Sequence, residues 1–388
     1  MKALNFYLLY MAFLGSYNKL NVLGLIISPN NNNNNNNDNG NNNNNNKNIN
    51  DYKSTSDTQI NAGDGYHQES SESLLKTEMK KYDEQNPQKE SSQEFSKRDP
   101  VGGLERALET IRLNKTPLPP WLKTITGLND WPGLEPPYIP LDFIDFSKIP
   151  QIEQYGPSQC TIVPRDSCSF DCYKCVEPDD VYTCHKLSQT FDDGPSDSTE
   201  ELLKHLGDTK STFFNLGINI VSHPNVYKKI IEQGHLIGTH TWSHPFLPSL
   251  TNEQIIAQIE WSIWAMNATG NHIPKWFRPP YGGIDNRVRS ITRQFGLQAV
   301  LWDHDTFDWE LLNGNSQRTE NAIFEDVKKR KADSASKGGL ILEHDGASKT
   351  VEVGKKVFDI VGKDQLTVAK CIGGIDYIRK YSDLEKKL

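Results

Sequence analysis

The chain has 388 residues, with 42 lysine and arginine against 50 aspartate and glutamate, for a net charge of -8. That balance argues against a nucleic-acid partner, which requires a basic face. A hydrophobic content of 36% is low for a globular chain of this length, and the shortfall sits near the start.

In chain order, Lys2, an apolar run from Leu4 to Leu14, then Gly15 and Ser16 make a signal-peptide pattern over residues 1–28. The run is too short to span a bilayer comfortably, and no later segment approaches the roughly 18 apolar residues of a membrane helix. No integral span is therefore expected in the mature chain. Residues 29–98 open with asparagines from Asn30 to Asn46, broken only by Asp38 and Gly40, and read as a low-complexity, disordered segment. Too few apolar side chains are present there to offset chain entropy. The segment ends at Lys97-Arg98, a candidate processing site.

Residues 99–183 form an irregular extension rich in proline, aromatics and cysteine, in which Trp121, Trp131, Tyr138, Phe143 and Phe146 are candidates for packing against the next domain. Cys160, Cys168, Cys172, Cys175, Cys184 and Cys371 make an even count, which in an exported chain predicts three disulfides. Cys172 and Cys175 have half a zinc-site spacing, but no second such pair exists. Asn114 and Asn267 each open a glycosylation sequon.

Residues 184–380 alternate short apolar runs with helical spacing. Strands are predicted at 187–191, 212–216, 235–240, 276–278, 298–302 and 339–344. Helices are predicted around Leu202 to Leu206, Val226 to Ile231, Val288 to Phe295, and Ile323 with Val327. Thr251 with Gln254 forms a capping box before a helix carrying Ile255, Ile259, Ile263 and Met266 on one face. Repeated strand–helix units imply a parallel α/β sheet whose natural closed form is a barrel, with chemistry at the C-terminal strand ends.

Polar clusters fall at those ends. Asp192 and Asp193 come directly after the first strand and allow one carboxylate to bind a cation while the other moves a proton. His240 and His244 offer two imidazoles which, with one carboxylate, leave an open coordination position. Arg278-Pro279-Pro280-Tyr281-Gly282 is a rigid turn whose Tyr281 amide suits an oxyanion. Asp303 to Trp309 supply carboxylates, and His344 suits a general acid. Each cluster alone also fits an ordinary turn, core or surface role.

Together, T-F-D-D-G-P, H-T-x-x-H, R-P-P-Y-G, D-x-x-D-W and L-x-H resemble, in order and spacing, the motifs of the polysaccharide deacetylases of carbohydrate esterase family four. The resemblance covers about residues 184–375. Thr212-Phe213-Phe214 is similar to a family strand, and the flanks around Cys168 to Cys184 and Thr367 to Cys371 look like yeast and fungal chitin deacetylases. It implies a distorted (β/α) barrel with the Cys-rich extension at its N-terminal side. It also implies that Asp193, His240 and His244 hold a divalent metal, zinc or alternatively cobalt. Asp192 would be the general base, held by Arg278, and the Tyr281 amide an oxyanion donor. His344 would be the general acid, oriented by Asp308 with Asp305 as second candidate, and Trp309 and Leu342 would line the sugar pocket. The implied reaction converts chitin or its oligomers to chitosan and acetate, in a secreted, monomeric cell-wall or spore-wall enzyme. The rivals are another acetylated polymer, such as xylan or peptidoglycan, and a wall-binding protein without catalysis. Cys184 is paired with Cys371, tying first strand to last segment; the other four cysteines leave three connectivities open.

Overall fold

The computed structural model describes residues 115–314, 316–333 and 338–382. The signal pattern, the asparagine-rich segment, Lys97-Arg98 and Asn114 lie outside the described residues.

The strand β1 (Leu187–Asp192) is buried along its whole length, as a strand covered on both faces must be. The next units are α-helix Thr199–Leu206, β2 (Thr212–Asn215), helices Gly217–Ser222 and Pro224–Glu232, and β3 (Leu236–Thr239). Helix Asn252–Gly270 precedes β4 (His272–Pro274), β5 (Trp276–Phe277), helix Asn286–Gln294, β6 (Gln298–Ala299) and β7 (His304–Asp305). The chain then runs through helix Glu320–Asp333, β8 (Gly339–His344), helices Ser348–Val361 and Val368–Ile372, and β9 (Tyr377–Lys380). Seven strands make one parallel sheet in the order β6-β5-β3-β2-β1-β8-β7, and β4 pairs antiparallel with β9.

The sheet curls into a half-barrel. Its edge strands β6 and β7 share no ladder among the described residues. The expected barrel is therefore distorted by an open seam, and the extension reaches the sheet there through a bridge between Val181 and Val300 just beyond β6. Neither β7 nor the helix Ser348–Val361 is anticipated by the sequence pattern, and most strands stop a residue or more short of their predicted ends. The strand ends are where backbone leaves the ladder to present side chains.

Helix Asn252–Gly270 starts at the capping box: Thr251 Oγ1 accepts from Gln254 N and Gln254 Oε1 from Thr251 N. Its Ile255, Ile259, Ile263 and Met266 are buried, each contributing about 1.5–3 kcal/mol. Trp261 and Trp264 are buried too, because the extension covers a second face. Trp131 stacks on Trp242 at 5.8 Å, Trp121 meets Trp264 edge-on at 5.9 Å, and Phe143 meets Phe295 at 5.3 Å. Tyr138 packs against the same core, whereas Phe146 is largely exposed in a short 3-10 turn.

All six cysteines are bonded. Cys184–Cys371 forms as read from the sequence, and the open connectivity resolves as Cys160–Cys172 and Cys168–Cys175.

Candidate active site

Each polar cluster sits at the C-terminal end of a sheet strand, where the parallel ladder stops and backbone turns outward. Asp193, Thr241, His244, Tyr281 and Phe307 all adopt positive φ there, between 54° and 75°. Left-handed backbone at non-glycine residues costs on the order of 1–3 kcal/mol and persists only where the surroundings impose it. Its concentration at these ends points to function.

From β1, Asp192 is buried, and its Oδ1 accepts from Arg278 Nη1 at 2.9 Å. Arg278 lies just after β5 and is fully enclosed: it also donates to Thr190 Oγ1, Val300 O and Leu301 O, and lies over the Phe214 ring at 4.2 Å. Burial pushes Asp192 up to about 6, with the Arg278 guanidinium pulling it down. A carboxylate so poised near neutrality is suited to taking a proton.

Asp193 Oδ1 lies 3.5 Å from His240 Nε2 and 3.3 Å from His244 Nε2, and is a buried oxygen with no hydrogen-bond partner. The three ligand atoms lie within 4.8 Å of one another. His240 Nδ1 donates to the Arg278 carbonyl at 2.8 Å, since a carbonyl can only accept, and this leaves Nε2 with its lone pair toward Asp193. Burial pushes His240 down to about 3 and lowers His244 as well, which favours the neutral form of both rings near pH 7. Burial would raise Asp193, but His244, His344 and His240 outweigh it and hold the carboxyl below its usual value.

His344 ends β8 as the register partner of Asp192. Asp308, fully buried, accepts from His344 N at 2.9 Å and from Nδ1 at 2.7 Å. Burial opposes the imidazolium, yet Asp308, aided by Asp193 and Asp192, pushes His344 up to about 10. Asp305, the second candidate for orienting His344, accepts from Phe307 N instead. The Tyr281 ring packs edge-on against His244 at 4.5 Å and is mostly exposed. Trp309 is about half exposed beside Phe307, and Leu342 is buried within β8.

Sequence reasoning passed over Asp345. It is buried, its Oδ1 accepts from Gly194 N at 3.0 Å, and its Oδ2 accepts from Thr199 Oγ1 at 2.6 Å. Burial pushes it up to about 7. The approach is so close that a Cβ on Gly194 would collide with the Asp345 carboxylate, so only glycine fits after Asp193. Asn219 likewise donates to Asp193 O at 2.7 Å. The available signal was the carboxylate directly after His344.

Residues 180–300 match the polysaccharide deacetylase family model. The chain is 64% identical over 278 residues to Chitin deacetylase 2 of Saccharomyces cerevisiae, covering 72% of this chain and 86% of that protein. It is 60% identical to Chitin deacetylase 1 of the same yeast, over 69% of this chain and 87% of that one. This chain belongs to the polysaccharide deacetylases. Among solved structures, the chitin deacetylase from the fungal pathogen Colletotrichum lindemuthianum is 26% identical, covering 52% of this chain and 96% of that one with a TM-score of 0.47.

In this polysaccharide deacetylase the residues present fit a divalent cation. Two neutral imidazoles and an otherwise unpartnered carboxylate oxygen form a nitrogen–nitrogen–oxygen set of the catalytic-metal type. A cation there would also satisfy the buried Asp193 oxygen, which is costly to leave unpaired.

Proposed function

We propose that this chain is a metal-dependent chitin deacetylase, hydrolysing N-acetyl groups of chitin to leave chitosan and acetate. The observation that carries this reading is the pairing of two differently tuned groups beside one ligand set. Asp192 and His344 are partners on neighbouring strands, the first held by Arg278 and the second by Asp308, with Asp193, His240 and His244 beside them.

Asp193, His240 and His244 would hold the metal, for which we propose Zn2+. Once bound, the cation supplies Lewis acidity, easing ionisation of a water and polarising the acetamide carbonyl. Asp192 takes the proton from the attacking water through the carboxylate whose other oxygen is tied to Arg278. The Tyr281 amide receives the developing oxyanion. His344 donates a proton to the departing amine nitrogen, which as an anion would be a very poor leaving group. Asp308, accepting from Nδ1, keeps the ring protonated until transfer. Trp309 and Leu342 line the place of the acetylated sugar.

We further read residues 184–380 as the catalytic domain and 99–183 as an extension, whose described part from Lys115 packs on it, in a monomeric enzyme secreted to the cell or spore wall. Three disulfides support an oxidising destination. Among the described residues no helix is long and apolar enough to cross a membrane. Asn267 is half-buried at the end of its helix, and the Thr269 of its sequon bonds Thr116 at 2.9 Å, so glycosylation there would precede folding.

Acetate release from chitin oligomers tests the assignment. Asp192→Asn and His344→Ala should each lose roughly 100- to 10,000-fold while circular dichroism stays unchanged. Chelation should abolish release, and Zn2+ should restore it. Near-parental release by either variant would overturn the assigned roles.

A further inference from the structure

We propose that the segment Trp131 to Leu134 of the N-terminal extension positions the metal-binding histidines, acting through Trp242 and Ser243. This rests on the reading of His240 and His244 as ligands. The family pattern covers residues 180–300, so the segment lies outside it.

The two histidines are separated by Thr241, Trp242 and Ser243, and the turn that brings both rings to Asp193 requires φ of 73° at Thr241 and 68° at His244. Two such residues so close together need external restraint. Some of it is local: Thr241 N donates to Thr239 Oγ1 and His244 N to Thr241 Oγ1. The helix Gly217–Ser222 adds two backbone bonds, from Gly217 N to Thr241 O and from Ile218 N to Trp242 O. The side chains of Trp242 and Ser243, however, are both spent on the extension. Trp242 Nε1 donates to Gly133 O at 2.7 Å, and Ser243 Oγ donates to Leu134 O at 2.5 Å. Trp131 stacks on the Trp242 ring.

Gln258 closes the arrangement from helix Asn252–Gly270. Its Oε1 accepts from Trp242 N at 3.1 Å and Ser243 N at 3.0 Å, while its Nε2 donates to Leu134 O at 3.2 Å and Ser243 Oγ at 2.9 Å. Both polar atoms of that amide thus hold the turn, and its nitrogen joins turn to extension. Backbone carbonyls of the extension fix the turn between the ligands, as a hydrogen-bond partner fixes a ligand's ring.

Metal affinity of the full chain tests this. The apoprotein is prepared by chelation and titrated with Zn2+ in competition with a chromogenic chelator, and the Co2+ absorption spectrum reports ligand geometry. Trp242→Phe deletes one bond to the extension, and Ser243→Ala deletes one to the extension and one to Gln258, while both leave the ligands. The expected result is about 10- to 100-fold weaker binding and a changed Co2+ spectrum, with Ser243→Thr restoring both. Unchanged affinity in Ser243→Ala and Trp242→Phe, whether or not the melting temperature falls, overturns the proposal. If one variant does not fold, the other decides. His244→Ala is the control: metal binding that survives it overturns the ligand assignment itself, whereas binding that needs His244 but ignores Ser243 and Trp242 overturns only the role of the extension.

Discussion

At the scale of single residues, the site works by setting like groups apart. His344 is held protonated to about 10 because Asp308 faces its Nδ1, while His240 falls to about 3 because burial, with His244 beside it, outweighs the pull of Asp193. As the proposed general acid, His344 must carry its proton, so on that reading activity should fail as pH rises through its pKa. Asp308→Asn removes the charge that raises this pKa, so the alkaline limb of kcat should move to lower pH, read from acetate release between about pH 7 and 10. An unmoved limb would assign the limb to another group. Asp192, Asp193, His240, His244 and His344, which the structure brings together, were legible as a cluster because they sit within short motifs at strand ends. Asp345 was not, since its grip on Gly194 crosses 151 residues and depends on a close backbone approach that no local pattern encodes.

At the scale of elements, helix Asn252–Gly270 does more than its amphipathic pattern predicts. The pattern identified one buried face, but Glu260 and Trp261 are buried as well, because the extension lies along the other side. Glu260 Oε1 accepts from Ile139 N at 2.9 Å and Trp261 Nε1 donates to Pro137 O at 2.8 Å. Burial pushes Glu260 from 4.5 up to about 9. Between these values the folded protein keeps a proton that the unfolded chain has released, so stability falls as pH rises across that window. Glu260→Gln removes the titration. Its melting temperature should exceed the parental one at about pH 8, and the difference should shrink toward about pH 4; a constant offset at both would deny the buried proton. Strands β1 and β8 were found from their apolar runs, whereas β7 escaped notice: two residues carry no period, and His304 and Asp305 are in a strand only because β8 supplies a ladder.

At the scale of the whole molecule, the fold class was readable from alternating strands and helices and the extension's packing from its aromatics, but its hold on the turn between His240 and His244 was not. Its bonds to Trp242 and Ser243 each span 109 residues. The Cys184–Cys371 disulfide closes a loop of 187 residues just before β1 and beyond β8. On loop-entropy grounds it should contribute about 5 kcal/mol, more than either of the short bridges. Cys184→Ala with Cys371→Ala should therefore lower the denaturation midpoint more than Cys168→Ala with Cys175→Ala, as measured in guanidinium. The partnership of β1 with β8 also has a temporal consequence. A ribosome makes every proposed metal ligand by residue 244, but His344 a hundred residues later. On that reading, a nascent chain carries all three proposed ligands well before it carries the proposed general acid, so deacetylation would wait for the strand that closes onto the first.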